Sequence, residues 1–374
     1  IDQTYENSFD KGFFDIQQQS DINEFSGCTF RNVVSAGNFL GVFRKKVAFH
    51  DNVFEYDDYV LNPSIAWVTW QVSEFTIESC TFTNYRYVKQ FDEGLIMSFN
   101  ANLKLTINSC TFNKVGRSDA HFMFKINGQN TDLTIYDCAF NFESSEKGSR
   151  VGKIETGNVL IDHCTFTNCP RDMVKIDASY SGNASNTVRF TNNIVQGNTR
   201  QFMILTKLRR DPVIENNVFQ NINMESGYLV SIMHHVSNIR LYNNTFSHVA
   251  TKAGSYCGGT SIWFQHMDKK ESAITYEKCY FYDNSNNNEN APFNQGGAIH
   301  YGYTTSISNT AVNLKGCEFK RNKCPNGDGG AVAFSIDKDL TISDCIFEDN
   351  SAHGNGGAIF FWSKIAKPSD NSDA

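Results

Sequence analysis

Three lysines recur at one position of a repeated short run: Lys125 in FMFKI, Lys153 in RVGKI and Lys175 in DMVKI. Aligned strand on strand they fall in one column, and alternation turns them outward if Phe124, Ile126, Val174 and Ile176 point in. Three like charges about 5 Å apart repel unless something offsets them. Glu155 and Asp177, two residues further along the same face, are placed to do so. Such a strip has three uses. It is a solvated ladder of ion pairs with little energetic weight, it grips an anionic ligand, or one lysine with a depressed pKa serves as a general base. Lys125, Lys153, Lys175, Glu155 and Asp177 are therefore the ligand-binding candidates.

Other chemistry is thinly represented. Glycoside hydrolysis needs two carboxylates across a bond, and the adjacent pair Asp57 and Asp58 sits in a loop with no cationic company. His234 and His235 adjoin, so on a strand they face opposite ways and cannot share a metal. His121, His266, His300 and His353 have no regular partner, and neither a P-loop, a nucleophile elbow nor a zinc spacing appears. No cofactor and no metal site is expected.

The elements that would position the lysines come from an internal repeat. One slot recurs at Cys28, Asn52, Cys80, Cys110, Cys138, Cys164, Asn193, Asn217, Asn244, Cys279, Cys317 and Cys345, at intervals of 24 to 38 residues. Two places later stands Phe in eleven of the twelve, Val195 being the exception, and three places earlier an apolar residue stands in all. Apolar positions five and three places before the slot alternate with polar ones, the period of a strand with one buried face. A second strand signal lies between slots, as in LIMSF from Leu95, FMIL from Phe202 and YLVSI from Tyr228.

Coils of this length that pair only with their neighbours describe an all-β fold, a right-handed single-stranded parallel β-helix of about twelve rungs. At about 4.8 Å per rung the rod is roughly 55–60 Å long. A leucine-rich repeat shares the pattern of LTINSCTF, but the β-like run where further leucines belong argues against it. At the slot, Asn is expected to bond its own backbone and the Asn above, and Cys to fill the same space as a small hydrophobe. Phe two places on is expected to stack rung upon rung. The structural ladder is thus Cys80, Cys110, Cys138, Cys164, Asn193, Asn217, Asn244, Cys279, Cys317 and Cys345.

Eight of eleven cysteines occupy the slot, and interior side chains pointing in parallel rarely present disulfide geometry, so reduced thiols are expected there. Cys169, Cys257 and Cys324 lie elsewhere, and a bridge between two of them is compatible with the sequence. Two acceptor sequons, at Asn183 and Asn243, suit a secreted protein. The formal charge of −7 argues against a nucleic-acid partner. No apolar run reaches the length of a membrane span, so membrane attachment would need a segment outside this chain. Residues 1–21 read as an N-terminal cap or lead-in, 22–365 as the β-helix and 366–374 as a polar linker or tail.

The last third adds FYDN, FKRN and FEDN, each followed by a paired glycine: GGAI at 296–299, GGAV at 329–332 and GGAI at 356–359. Over residues 255–362 this F-x-x-N and GGA[I/V] pattern resembles the repeats of the chlamydial polymorphic membrane proteins and of similar surface proteins of protists. The resemblance implies an extracellular β-helical domain associated with adhesion and no enzymatic activity. The stretch around CTFTNCPRDMVKIDAS is also similar to β-helical polysaccharide lyases of the chondroitinase B and alginate-lyase group. There a Lys is the base and an Arg one rung later the acid. Lys175 matches the base, but Ile204 stands where the Arg belongs, and Arg209 lies beyond it.

The expected function is a non-enzymatic surface or extracellular adhesin or stalk that binds a host-cell or extracellular glycan or protein. A lyase using Lys175 with Arg209 is the alternative, and a self-associating filament subunit a further one. The two longest repeats, with Tyr256, Cys257 and SNNNENAPFNQ, are expected to gather partner contacts. Trp67, Trp70, Trp263, Tyr301, Tyr303, Phe361 and Trp362 divide between the core and surfaces that stack on sugars or partners.

Overall fold

The structure is a computed structural model. It describes residues 22–32, 45–57, 66–68, 72–84, 96–98, 102–115, 122–126, 131–143, 150–154, 157–169, 173–177, 187–197, 201–208, 210–224, 229–233, 238–251, 262–265, 272–289, 295–301, 310–335 and 339–362. The proposed cap and tail, and with them Tyr256, Cys257, Trp70 and Tyr303, lie outside these residues.

Every strand pairing is parallel, and consecutive repeats are neighbours. The first sheet runs through twelve strands from Ile22–Ser26 to Leu340–Ser343. The second runs through twelve from Thr29–Arg31 to Ile346–Glu348, with short extra strands beside its last turns. The third is described over eight strands ending at Ile262–Gln265 and three more beginning at Ile299–Tyr301. A chain that meets only the turns before and after it is a solenoid, so each rung must bury its own inward residues against its neighbours.

The corner between the first two sheets follows from one backbone feature. The residue before the slot has φ between 50 and 63° in all twelve rungs, from Gly27 to Asp344. That left-handed conformation suits Gly, Asn and Asp, which hold eight of the twelve positions. It aims the slot residue into the core. A second left-handed corner follows four places after the slot, at Asn84, Asn168, Asp283 and Arg321 among others. The next residue again points inward, which places Cys169, Ile222, Val249, Asn284 and Asn322 in a second buried column.

Slot asparagines bond the backbone of adjacent rungs, and slot thiols do so while also reaching the carbonyl two residues before them in their own turn, as Cys138 does with Tyr136 O at 3.1 Å. Asn217 accepts the Asn193 N–H at 3.0 Å and donates to Phe190 O at 2.9 Å and to the Asn244 side chain at 2.9 Å. Cysteine repeats the scheme: the Cys138 sulfur accepts the Cys110 N–H at 3.4 Å and donates to Ile107 O at 3.7 Å. Cys here is a hydrogen-bonding substitute for Asn as well as a filler, because the corner presents an inward N–H that must be satisfied.

The phenylalanine column stacks as the rung spacing demands. Ring centroids from Phe54 through Phe82, Phe112, Phe140 and Phe166 are 4.8, 4.9, 4.8 and 5.0 Å apart. Val195 would leave a gap, and Phe202, just before the third-sheet strand Met203–Thr206, fills it. Its ring meets Phe166 edge-on at 5.2 Å and Phe219 at 6.3 Å. In the last rung Leu340, Cys345, Phe347 and Ile359 are only partly buried, since no described strand covers them.

The paired glycines close the third corner. Gly296, Gly329 and Gly356 have φ of 68, 72 and 65°. A Cβ on Gly330 would run into the carbonyl oxygen of Gly357, so the second glycine is required by the approach of successive turns.

Candidate functional site

In the third sheet, strands Phe122–Ile126, Arg150–Ile154 and Val174–Asp177 pair so that Lys125, Lys153 and Lys175 are direct Cα partners. Lys125, Lys175 and Asp177 are half-buried, while Glu155, Arg209 and the Lys153 side chain lie outside the described residues. The next residue in the column is Ile204, followed by Ser231. All four residues of Met203–Thr206 are buried, and so is Ser231. A polymer laid along this column meets buried residues, Ile204 and then Ser231, from one rung past Lys175. Among the described residues no acid stands on the rung after the candidate base, as the lyase chemistry would need.

The remaining candidates serve the fold. Asp57 accepts from the Asn32 amide at 2.7 Å, and its N–H returns a bond to the Asn32 carbonyl at 2.9 Å, a reciprocal tie between two turns. His300 is buried with no hydrogen bond to either ring nitrogen, and burial pushes its pKa down to about 4. Cys169 and Cys324 are free thiols, so they form no bridge with each other, and burial raises both, Cys324 to about 12. Hydrogen bonds with neighbouring thiols, reinforced by burial, hold Cys110 and Cys164 well above the usual thiol range. The same hydrogen bonds draw Cys138, between them, downward, and all three thiols are buried in the core away from any reaction partner. Among the described residues no group of three or more His, Cys, Asp or Glu is placed to hold a metal ion.

The segment SNNNEN also differs from its expected role as a displayed loop. Asn284, Asn286 and Asn288 are fully buried, and the Asn287 side chain donates to Thr251 O at 3.0 Å. Residues 290–294 lie outside the described set. Of the aromatics, Tyr301 is in the core and Phe361 is 44 % exposed.

Two outer faces differ sharply in charge. On the first sheet, Lys46 pairs with Glu74 at 2.9 Å, and Arg240 bridges Glu215 at 3.2 Å and Glu277 at 2.9 Å. Lys46 beside Glu74 and Arg240 beside Glu277 hold those two carboxyls below the usual carboxylate range. On the second sheet, the outward residues flanking each stacked Phe carry charge only at the ends. Arg31 meets Glu55 at 3.1 Å in the first two rungs, and Lys320 meets Glu318 and Glu348 at 3.1 and 3.5 Å in the last two. The rungs between read TFT, TFN, AFN, TFT, IVQ, VFQ, TFS and YFY. Sequence reasoning followed the inward Phe of these triplets and passed over their outward neighbours, although the alternation that buries the Phe exposes them.

Two comparisons bear on this architecture. A family model described as "Right handed beta helix region" matches residues 93–268. Another, for the Chlamydia polymorphic membrane protein repeat, matches residues 344–361. No curated protein matches the chain. No solved structure matches it either. The parallel sheets and these matches define a right-handed parallel β-helix repeat protein. It is a β-helix of the polymorphic-membrane-protein-like kind, with the FEDN and GGAI repeat of its final turn at the matched residues.

Proposed function

We propose that the chain is a non-enzymatic extracellular or cell-surface β-helix that acts as an adhesin or structural stalk, binding glycan or protein through its outer faces. The observation that carries this reading is the polymorphic-membrane-protein repeat at the end of a rigid solenoid. Its support is that the described residues place groups in long columns suited to extended contact, whereas the column richest in reactive groups is sealed after Lys175.

The test has two parts. Antibody should label intact cells that express the protein without permeabilisation; labelling only after permeabilisation would contradict surface display. Purified protein incubated with uronate-containing and neutral polysaccharides should be retained without releasing unsaturated product. Product that disappears in a Lys153→Ala/Lys175→Ala variant would establish a lyase instead.

A further inference from the structure

The second sheet holds an uncharged strip whose composition the fold does not require. Its two outward columns accept Arg31, Glu55, Glu318, Lys320 and Glu348 at their ends on the same parallel backbone. Yet the eight rungs from Thr81–Thr83 to Tyr280–Tyr282 carry no charge in these columns. All but one of the positions are partly buried, and Ile194 is exposed. Charge depletion at a partly exposed face is the compositional mark of a surface meant to be covered.

The strip is also preordered. The Asn141 amide donates to the Asn113 carbonyl at 2.9 Å, Gln220 to Gln196 at 3.2 Å, and Gln196 to the Thr167 hydroxyl at 3.4 Å. An amide offers two donors and two acceptor lone pairs, so one such bond leaves capacity for a ligand while fixing the rotamer. Ordering it beforehand lowers the entropic cost of binding. At one end the rings of Tyr280 and Tyr282 stand 6.1 Å apart, tilted 41° to each other, an aromatic terminus to the polar rows.

Size selects the occupant. Seven rung intervals of about 4.8 Å make the strip about 34 Å long, and two columns two residues apart make it about 10 Å wide. That is about 340 Å², well short of the roughly 800 Å² per partner that a stable protein pair buries. The backbone groups beneath are paired on both sides by neighbouring strands, which leaves no edge for a peptide. Without a cation, the strip has nothing to hold a uronate or a phosphate.

We infer that this strip binds a neutral polysaccharide chain laid along the solenoid axis, its hydroxyls meeting the Thr, Asn and Gln rows and a sugar face resting on the tyrosines. The inference rests on the adhesive reading above and names its ligand class.

The test uses the full chain with cellulose and chitin in pull-down and a soluble neutral glucan in affinity electrophoresis. Three variants are compared: Asn141→Lys/Gln196→Lys, Asn141→Ala/Gln196→Ala and Lys125→Ala/Lys175→Ala. The rungs tolerate lysine in this column at Lys320, and unchanged circular dichroism would verify the fold. The expected result is retention by at least one neutral polymer, weakened at least tenfold by either strip variant. It should be unchanged in the lysine-column variant and insensitive to 0.5 M salt. Retention by none of the neutral polymers, or retention that both strip variants keep, overturns the inference. Binding confined to a uronate polymer and lost in the lysine-column variant would overturn it while leaving the adhesive reading in place.

Discussion

Replacing Asn217 by alanine tests whether the slot ladder is held by hydrogen bonds or merely by filled volume. The Asn217 side chain accepts from Asn193 N at 3.0 Å and from the Asn193 amide at 3.1 Å, and donates to Phe190 O and the Asn244 side chain at 2.9 Å each. All three asparagines are fully buried. Alanine strands the Asn193 N–H, one Asn193 amide hydrogen and the Phe190 carbonyl in a dry interior. At about 1–3 kcal/mol for each unsatisfied group, the loss is about 3–9 kcal/mol. Asn217→Cys should cost far less, about 1–2 kcal/mol, because a thiol keeps both backbone groups partnered as Cys138 does. Solenoids open locally, so the reading should be local. Hydrogen exchange at the Asn193 and Val218 amides, on either side of the lesion, reports it. Protection in the Ala variant within 0.5 kcal/mol of wild type, or a Cys variant as damaged as the Ala variant, would refute the bonding account.

Restoring the repeat's consensus with Val195→Phe should destabilise by about 1–3 kcal/mol, seen as a lower urea midpoint, because Phe202 already occupies the space. A rise in midpoint would show that the gap was open. His300 gives a pH signature. Its folded pKa of about 4 lies below the ordinary 6.5, so the unfolded chain binds the proton first. Its contribution is intact above pH 6.5 and falls away as pH drops towards 4, by about 3 kcal/mol over the full range. His300→Phe should remove that part of the slope in denaturation midpoints between pH 6.5 and 4. An unchanged slope would assign the acid sensitivity to other groups.

Much of the fold was legible because the inward positions are forced. Asn or Cys at the slot, Phe two places on and an aliphatic or aromatic residue three places before are all that a parallel rung can bury there, so they recur visibly. The second corner was not legible. Its left-handed residue is Asn at some rungs but Lys114, His248 or Arg321 at others, and the inward residue after it ranges from Val115 to Cys169 to Asn322. Several residue types satisfy the same backbone, so no consensus survives to be read. The lysine column was visible as an alignment, but the closure after Lys175 was not, since Ile204 and Ser231 read equally well as members of an exposed face.

That contrast explains where a function can be written on such a molecule. Inward columns are fixed by packing, and changing one costs kilocalories. Outward columns are cheap, since surface substitutions away from special contacts usually stay within about 0.5 kcal/mol. Three sheets with one backbone geometry nevertheless present three chemistries: ion-paired on the first, cationic then sealed on the third, uncharged and amide-laddered on the second. Stability alone would not separate them, because charged pairs at Arg31 and Lys320 sit in the same columns as the uncharged rungs. The uncharged strip would also be the least expensive face to desolvate, having no ion to strip of water. A covered surface on this rod should therefore lie on the second sheet, between the Arg31 and Lys320 ends.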